Sequence, residues 1–61
     1  MSVRPPYLLT VRQAAKMFRV RRSLIHHLID TGRLPTWREG RRVYLDPMTA
    51  QNAIRRAGVI D

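Results

Sequence analysis

Two clusters of basic side chains carry the chemistry that this sequence offers. The first is RVRRSLIHH at residues 19–27, where three arginines precede two histidines, and the second is WREGRRVYL at residues 37–45. Eleven of the twelve cationic residues of the chain are arginine. Because the planar guanidinium binds phosphate and guanine through paired hydrogen bonds, the clusters indicate a surface for nucleic acid.

The overall charge supports the same interpretation. Twelve Lys and Arg residues against four Asp and Glu give a formal net charge of +8 in 61 residues. Such an imbalance in one small domain favours a polyanionic partner. Two alternatives remain open at this stage, a solvated basic surface without a partner and an RNA-binding, ribosome-associated protein.

Metal and enzyme chemistry find little support in the sequence. The chain has no cysteine, and adjacent helical residues such as His26 and His27 diverge by about 100°, so they cannot hold one ion together. The acidic residues are scattered: Asp30, Glu39, Asp46 and Asp61. We therefore predict no metal site, no cofactor and no enzymatic activity.

The location of the protein is predicted from what the sequence lacks. It contains no apolar run long enough to span a membrane and no apolar region typical of a signal peptide. We expect a cytoplasmic, DNA-associated protein with no membrane partner.

Two short helices are predicted before and within the first basic cluster. Thr10 and Gln13 form a capping-box pattern, and apolar residues then recur at helical spacing: Val11, Ala14, Ala15 and Phe18. After a turn at residues 19–21, a second helix is predicted from Arg22 to Thr31, with Gly32 in the left-handed position that ends it. Two helices joined by a three-residue turn are typical of a helix-turn-helix.

A β-hairpin and a third helix follow. Residues 36–38 and 41–45 are rich in β-branched and aromatic side chains and flank a predicted Glu39-Gly40 turn. Strand alternation suggests that Trp37, Val43 and Leu45 face the core. Asp46-Pro47 is a helix start, and an apolar face follows it: Ala50, Ala53, Ile54 and Ala57.

The predicted fold is therefore mostly α with a two-stranded hairpin, a winged helix-turn-helix in the order helix-turn-helix-hairpin-helix. Residues 1–7 are expected to form an extended arm, residues 8–58 the DNA-binding domain, and residues 59–61 a tail. The hairpin is expected to pack on the helices, which would place its tip beside the second helix.

The polarity of the second helix suits DNA, because its basic residues come first and a recognition helix enters the major groove with its N-terminal end. Its predicted contacts with DNA are Arg21, Arg22, Ser23, His26 and His27. The hairpin tip would contact the minor groove through Arg38, Gly40, Arg41, Arg42 and the hydroxyl of Tyr44. Arg12 and Arg19 are further candidates for phosphate contacts. Arg4, in the arm, is a candidate to enter a groove, with a disordered arm as the favoured alternative.

Three segments together resemble the excisionase-like small winged helices of the MerR superfamily: LLTVRQAAKMF, RRSLIHHLIDTGRLP and REGRRVYLDP, across residues 8–57. The resemblance implies double-stranded DNA as partner, with Arg21, Arg22, Ser23 and His26 at recognition-helix positions and Arg38, Arg41 and Arg42 in the wing. It also implies DNA bending, cooperative self-association on DNA and an integrase partner.

The chain departs from this family at two positions of the turn. Arg19 replaces a usual glycine, at a cost of about 1 kcal/mol if the backbone there is left-handed. Arg21 replaces a usual capping residue, whose loss costs about 0.5–2 kcal/mol. The sequence-based hypothesis is a phage or prophage excisionase that directs an integrase toward excision, with a small MerR-like transcription regulator as the alternative.

Overall fold

Three helices and a three-stranded antiparallel sheet make up the computed structural model, which describes residues 4–58. The helices are α1 (Val11–Phe18), α2 (Arg22–Asp30) and α3 (Pro47–Arg56), and the strands are β1 (Leu9–Thr10), β2 (Trp37–Glu39) and β3 (Arg42–Leu45). The order of elements confirms the predicted winged helix-turn-helix. The tail at residues 59–61 and the first three residues of the arm lie outside the described residues. None of the three described helices has the length and apolarity needed to cross a membrane.

Local capping sets the starts of α1 and α3, as predicted. The Thr10 hydroxyl accepts the Gln13 amide at 3.1 Å, and the Gln13 side chain accepts the Thr10 amide at 2.9 Å. Asp46 accepts the Thr49 amide at 2.9 Å, and Pro47 occupies the first turn of α3. These contacts satisfy amides that a helix start otherwise leaves without an acceptor.

Helix α1 is the element around which the core is built. It packs against α2, α3, β1 and β3. The largest fully buried side chains come from the other elements and the loop after α2: Ile25, Leu28, Leu34 and Leu45. The apolar faces predicted for α1 and α3 pack into this core, where Ala14, Ala15, Ala50, Ala53 and Ile54 are buried and Val11, Phe18 and Ala57 are partly buried.

The sheet has one strand more than the predicted hairpin. Leu9 pairs with Leu45 and Thr10 with Tyr44, so β1 makes β3 the central strand. A two-residue strand shows no alternation in the sequence, and Leu9 and Thr10 were assigned only to the helix start. The base of the hairpin is therefore held on both sides of β3.

The hairpin turn lies one residue later than predicted. Glu39 pairs with Arg42, which leaves Gly40 and Arg41 as the loop, and Gly40 has a φ of 62°. A positive φ at the first of two loop residues is the requirement of a type II′ turn, which glycine meets without strain.

The prediction that Trp37 faces the core is wrong. Trp37 lies opposite Tyr44 and is 38% exposed. Directly opposed residues of antiparallel strands share a face, and successive residues alternate faces. Because Leu45 faces the core, Tyr44 and its partner Trp37 must lie on the other face of the sheet.

The backbone of Arg19 is left-handed, with φ 55° and ψ 46°. It is the one non-glycine residue with positive φ among residues 4–58. The conformation lets the Arg19 and Val20 amides both donate to the Ala15 carbonyl and so end α1. The cost of about 1 kcal/mol expected for a left-handed residue at this position therefore applies, because an L side chain is disfavoured in that conformation.

Replacing Arg19 with glycine is expected to stabilise the domain by about 0.5–1 kcal/mol, since relief of left-handed strain outweighs the added backbone entropy of glycine. Chemical denaturation followed by circular dichroism would measure it. Arg33→Gly, at an exposed loop residue, is the control, and an Arg19→Gly variant no more stable than wild type would contradict the strain.

Candidate nucleic-acid interface

The surface of α2 is divided cleanly into two faces. Ile25 and Leu28 are fully buried. Every residue predicted to contact DNA from this element is exposed: Arg21, Arg22, Ser23, His26 and His27. At 3.6 residues per turn the four helical members of this set span an arc of about 140°, on the side opposite the core. The arrangement presents one continuous polar face to a partner.

The N-terminal end of α2 is open. Arg21 occupies the N-cap position with extended backbone (φ −74°, ψ 143°), and its side chain makes no capping hydrogen bond. The amides of Leu24 and Ile25 donate to the Arg21 carbonyl at 3.0 and 3.4 Å. The amides before them receive no side-chain acceptor, so the positive end of the helix dipole faces outward. A phosphate bound there would complete the cap.

Two arginines lie at helix N-termini, where the helix dipole disfavours cations. Arg12 lies in the first turn of α1 and Arg22 in the first turn of α2, and neither turn contains an acidic residue. Both side chains are exposed, as is Arg19 in the turn between the helices. Cations at helix N-termini cost a few tenths of a kcal/mol or more, so these positions suit an anionic partner better than they suit the isolated fold.

The tip of the hairpin forms a second basic surface, which we call the wing. Its exposed members are Arg38, Gly40, Arg41 and Arg42. Arg38 pairs with Val43 on the face of the sheet that carries Leu45, and Arg42 pairs with Glu39 on the opposite face. The wing thus directs arginines to both sides of a narrow two-stranded ribbon.

Tyr44 does not have the exposure expected of it. It lies on the face away from the core, as predicted, but is only 4% exposed. The Arg4 guanidinium carbon lies 4.0 Å from the centre of the Tyr44 ring. Hydrogen bonding to the Tyr44 side chain is the main cause that raises the pKa of the exposed Arg42, aided by the charges of Tyr44 and Glu39. Tyr44 is therefore packed beneath arginines that are themselves more accessible.

Arg4 is the residue that the sequence interpretation missed. A guanidinium nitrogen of Arg4 lies 3.8 Å from a carboxylate oxygen of Glu39, and the guanidinium group stacks on the Tyr44 ring. No spacing rule links residue 4 to residues 39 and 44. The contact arises because β1 brings the arm alongside β3.

The two basic surfaces are connected through α1. Helix α2 packs on α1 and α3, whereas the hairpin packs on α1 through β3. The shared support holds both surfaces on one rigid element. That the hairpin tip lies beside α2 itself stays a prediction.

Other chemistry has little basis in this part of the chain. Within residues 4–58 no group of three or more His, Cys, Asp or Glu side chains could hold a metal ion. The exposed cationic side chains at the start of α2 and in the wing are arginines, which bind anions and do not transfer protons near neutral pH.

A helix-turn-helix whose second helix begins with exposed arginines, followed by a basic wing, defines a class of DNA-binding proteins. Comparison with known proteins agrees: a family model described as a helix-turn-helix domain matches residues 8–48, about two thirds of the chain. The protein belongs to this helix-turn-helix domain family and binds double-stranded DNA in a sequence-specific manner. Neither the curated proteins nor the solved structures contain a significant match.

Proposed function

We propose that the protein is an excisionase, which binds attachment-site DNA, bends it and directs an integrase toward excision without itself catalysing a step. The observation that carries the DNA-binding part is the open, basic N-terminus of α2 beside an exposed polar face. The resemblance of residues 8–57 to excisionases supports the more specific role.

In this proposal α2 lies in the major groove. Arg22, Ser23 and His26 contact base edges, because they occupy the exposed arc nearest the helix start. Arg21 and the free amides bind a backbone phosphate, and His27 lies at the margin. Arg12, in the first turn of α1, and Arg19, in the turn between the helices, make further phosphate contacts.

The wing enters the adjacent minor groove. Arg38, Arg41 and Arg42 supply the positive charge that the negative potential of a narrow minor groove attracts. Gly40 allows the backbone a close approach, since no Cβ stands there. Tyr44 shares the outer face of β3 with Arg42 but is buried, so we infer that its hydroxyl acts through neighbouring arginines and does not contact phosphate directly.

The two surfaces are expected to respond differently to loss of one arginine. Arg22→Ala should lower discrimination between the preferred site and single-base variants by about 1–3 kcal/mol. Arg41→Ala should weaken binding to all duplexes alike and reduce the salt slope by about one. Binding titrations against a site obtained by selection from random duplexes would measure both.

Arg55→Ala is the matched control, because it removes one exposed cation from α3 outside either surface. If Arg22→Ala and Arg55→Ala have the same effect on site discrimination, α2 is not the element that reads the bases. If Arg41→Ala leaves the affinity for an unrelated duplex unchanged, the wing does not contact the backbone.

Self-association on DNA is the second part of the proposal, and an apolar surface supports it. The four large apolar side chains exposed among residues 4–58 are Tyr7, Met17, Trp37 and Met48. They line two clefts that share Tyr7 and Asp46. No arginine or lysine lines either cleft, so two copies of a chain with charge +8 can approach there with least repulsion.

A Met17→Gln, Met48→Gln double variant is expected to lose cooperativity on a duplex with two adjacent sites, with single-site affinity unchanged, because it removes apolar contact area and keeps the net charge. Titration of one-site and two-site duplexes would show it. Cooperativity equal to that of wild type would mean that copies meet elsewhere.

The test of the whole proposal is recombination of attachment sites in vitro by a cognate integrase, with and without this protein. A shift toward excision that Arg22→Ala abolishes is the expected result. Tight, specific DNA binding without any change in the direction of recombination would instead favour a small transcription regulator. Preference for structured RNA over duplex DNA in competition would indicate an RNA-binding protein.

A further inference from the structure

We propose that Arg4 is a positioning residue for the wing: by bridging the Tyr44 ring and the Glu39 carboxylate, it holds the β2–β3 ribbon in the shape that binds DNA without contacting DNA itself. The inference rests on the proposed role of the wing. It assigns to the N-terminal arm a function that neither the helix-turn-helix match, which begins at residue 8, nor the arginine pattern provides.

The first observation is where Arg4 lies. Its guanidinium carbon is 4.0 Å from the centre of the Tyr44 ring, which is the geometry of a cation–π contact. Tyr44 occupies the central strand, paired with Thr10 of β1 on one side and Trp37 of β2 on the other. A group held on this ring therefore acts on the only described strand that links the wing to the rest of the sheet.

The second observation concerns charge at the wing. Glu39 is the acidic residue next to the loop and pairs with Arg42 across the hairpin. An uncompensated carboxylate there would repel the phosphates that Arg41 and Arg42 are proposed to contact. Arg4 lies 3.8 Å from this carboxylate and offsets its charge from the side that faces the arm.

The third observation is that Arg4 already has two partners within the protein, the Tyr44 ring and the Glu39 carboxylate. A phosphate contact by Arg4 would have to compete with both the ring and the carboxylate. The contact geometry thus favours holding the ribbon over binding DNA directly.

The salt dependence of binding separates positioning from contact. A lost phosphate contact lowers the magnitude of the slope of log K against log salt by about one. A wing that must first be ordered but still makes its own phosphate contacts lowers the affinity and leaves the slope unchanged. Arg4→Ala is expected to weaken binding about fivefold while its slope equals that of Arg55→Ala. Both variants lose one cation, so their comparison removes the effect of net charge.

Amide hydrogen exchange, measured without DNA, completes the test. In the free protein, Arg4→Ala should increase amide hydrogen exchange in the hairpin and leave that of α2 unchanged. Glu39→Gln should raise DNA affinity more in the Arg4→Ala background than in wild type, because Arg4 then no longer contributes to offsetting that carboxylate. Circular dichroism would confirm that all variants remain folded under the conditions used.

Three outcomes would overturn the proposal. A slope reduced by about one in Arg4→Ala would show that Arg4 binds a phosphate directly. Affinity and hydrogen exchange equal to those of Arg55→Ala would show that the Tyr44 contact positions nothing. Additive effects of Arg4→Ala and Glu39→Gln would remove the charge-offset step. Failure of the wild-type protein to bind duplex DNA would instead contradict the proposed function.

Discussion

Raising the salt concentration from about 50 to about 200 mM is expected to weaken binding of this protein to its DNA site about a thousandfold. The expectation follows from two basic surfaces acting together. If about six phosphates are neutralised by the arginines of α2, the turn and the wing, log K falls against log salt with a slope near −5. Fluorescence anisotropy titrations at several salt concentrations would measure the slope.

The contribution of each surface to the salt slope tests whether α2 and the wing bind DNA together. Removing an α2 arginine and a wing arginine together should reduce the slope by about two, since each gives up one phosphate. Arg55→Ala should leave it nearly unchanged. A wild-type slope near zero would exclude the shared surface, and a slope that only α2 variants reduce would leave the wing without a contact.

Replacing Leu28 with alanine is expected to destabilise the domain by about 2–5 kcal/mol, through lost burial and the cavity left behind. Leu28 lies on the core side of α2 and is fully buried, with 0% of its surface exposed. A 61-residue domain has a total stability of roughly 3–9 kcal/mol at ordinary values per residue. Much of the Leu28→Ala population should therefore be unfolded at physiological temperature.

Leu24→Ala is the matched control, since it makes the same substitution in the same helix at a half-buried position. Urea denaturation followed by circular dichroism should show a markedly smaller loss for Leu24→Ala than for Leu28→Ala. Equal losses would mean that α2 is not held to the core through the face described here. DNA binding by Leu28→Ala is expected to fall in proportion to the unfolded fraction.

Two arginines in the turn between α1 and α2 disfavour the isolated fold. Arg19 adopts a left-handed backbone, and Arg21 occupies an N-cap without capping. Glycine at the first position and serine at the second would each favour the isolated fold. Both arginines instead place exposed cations around the open end of α2. This distribution is consistent with a site in which bound phosphate supplies part of the missing stabilisation.

The sequence by itself determined the features that depend on neighbours within a few residues. The capping box of Thr10 and Gln13, the Asp46-Pro47 start of α3 and the left-handed Gly32 are local, so their residue types predicted them. Helical periodicity likewise predicted which faces of the helices are buried, because one turn brings residues three and four apart together. The clustering of arginines at the start of α2 and in the wing likewise follows directly from their positions in the sequence.

Tertiary structure decided what depends on distant residues. Strand β1 exists because β3 offers it a partner, and two residues carry no periodic signal of their own. The register of β2 on β3 put Trp37 on the outer face and left Tyr44 beneath Arg4, a contact across forty residues of chain. Sequence spacing predicts contacts within a turn or a helix, but pairing between strands depends on how the whole chain packs.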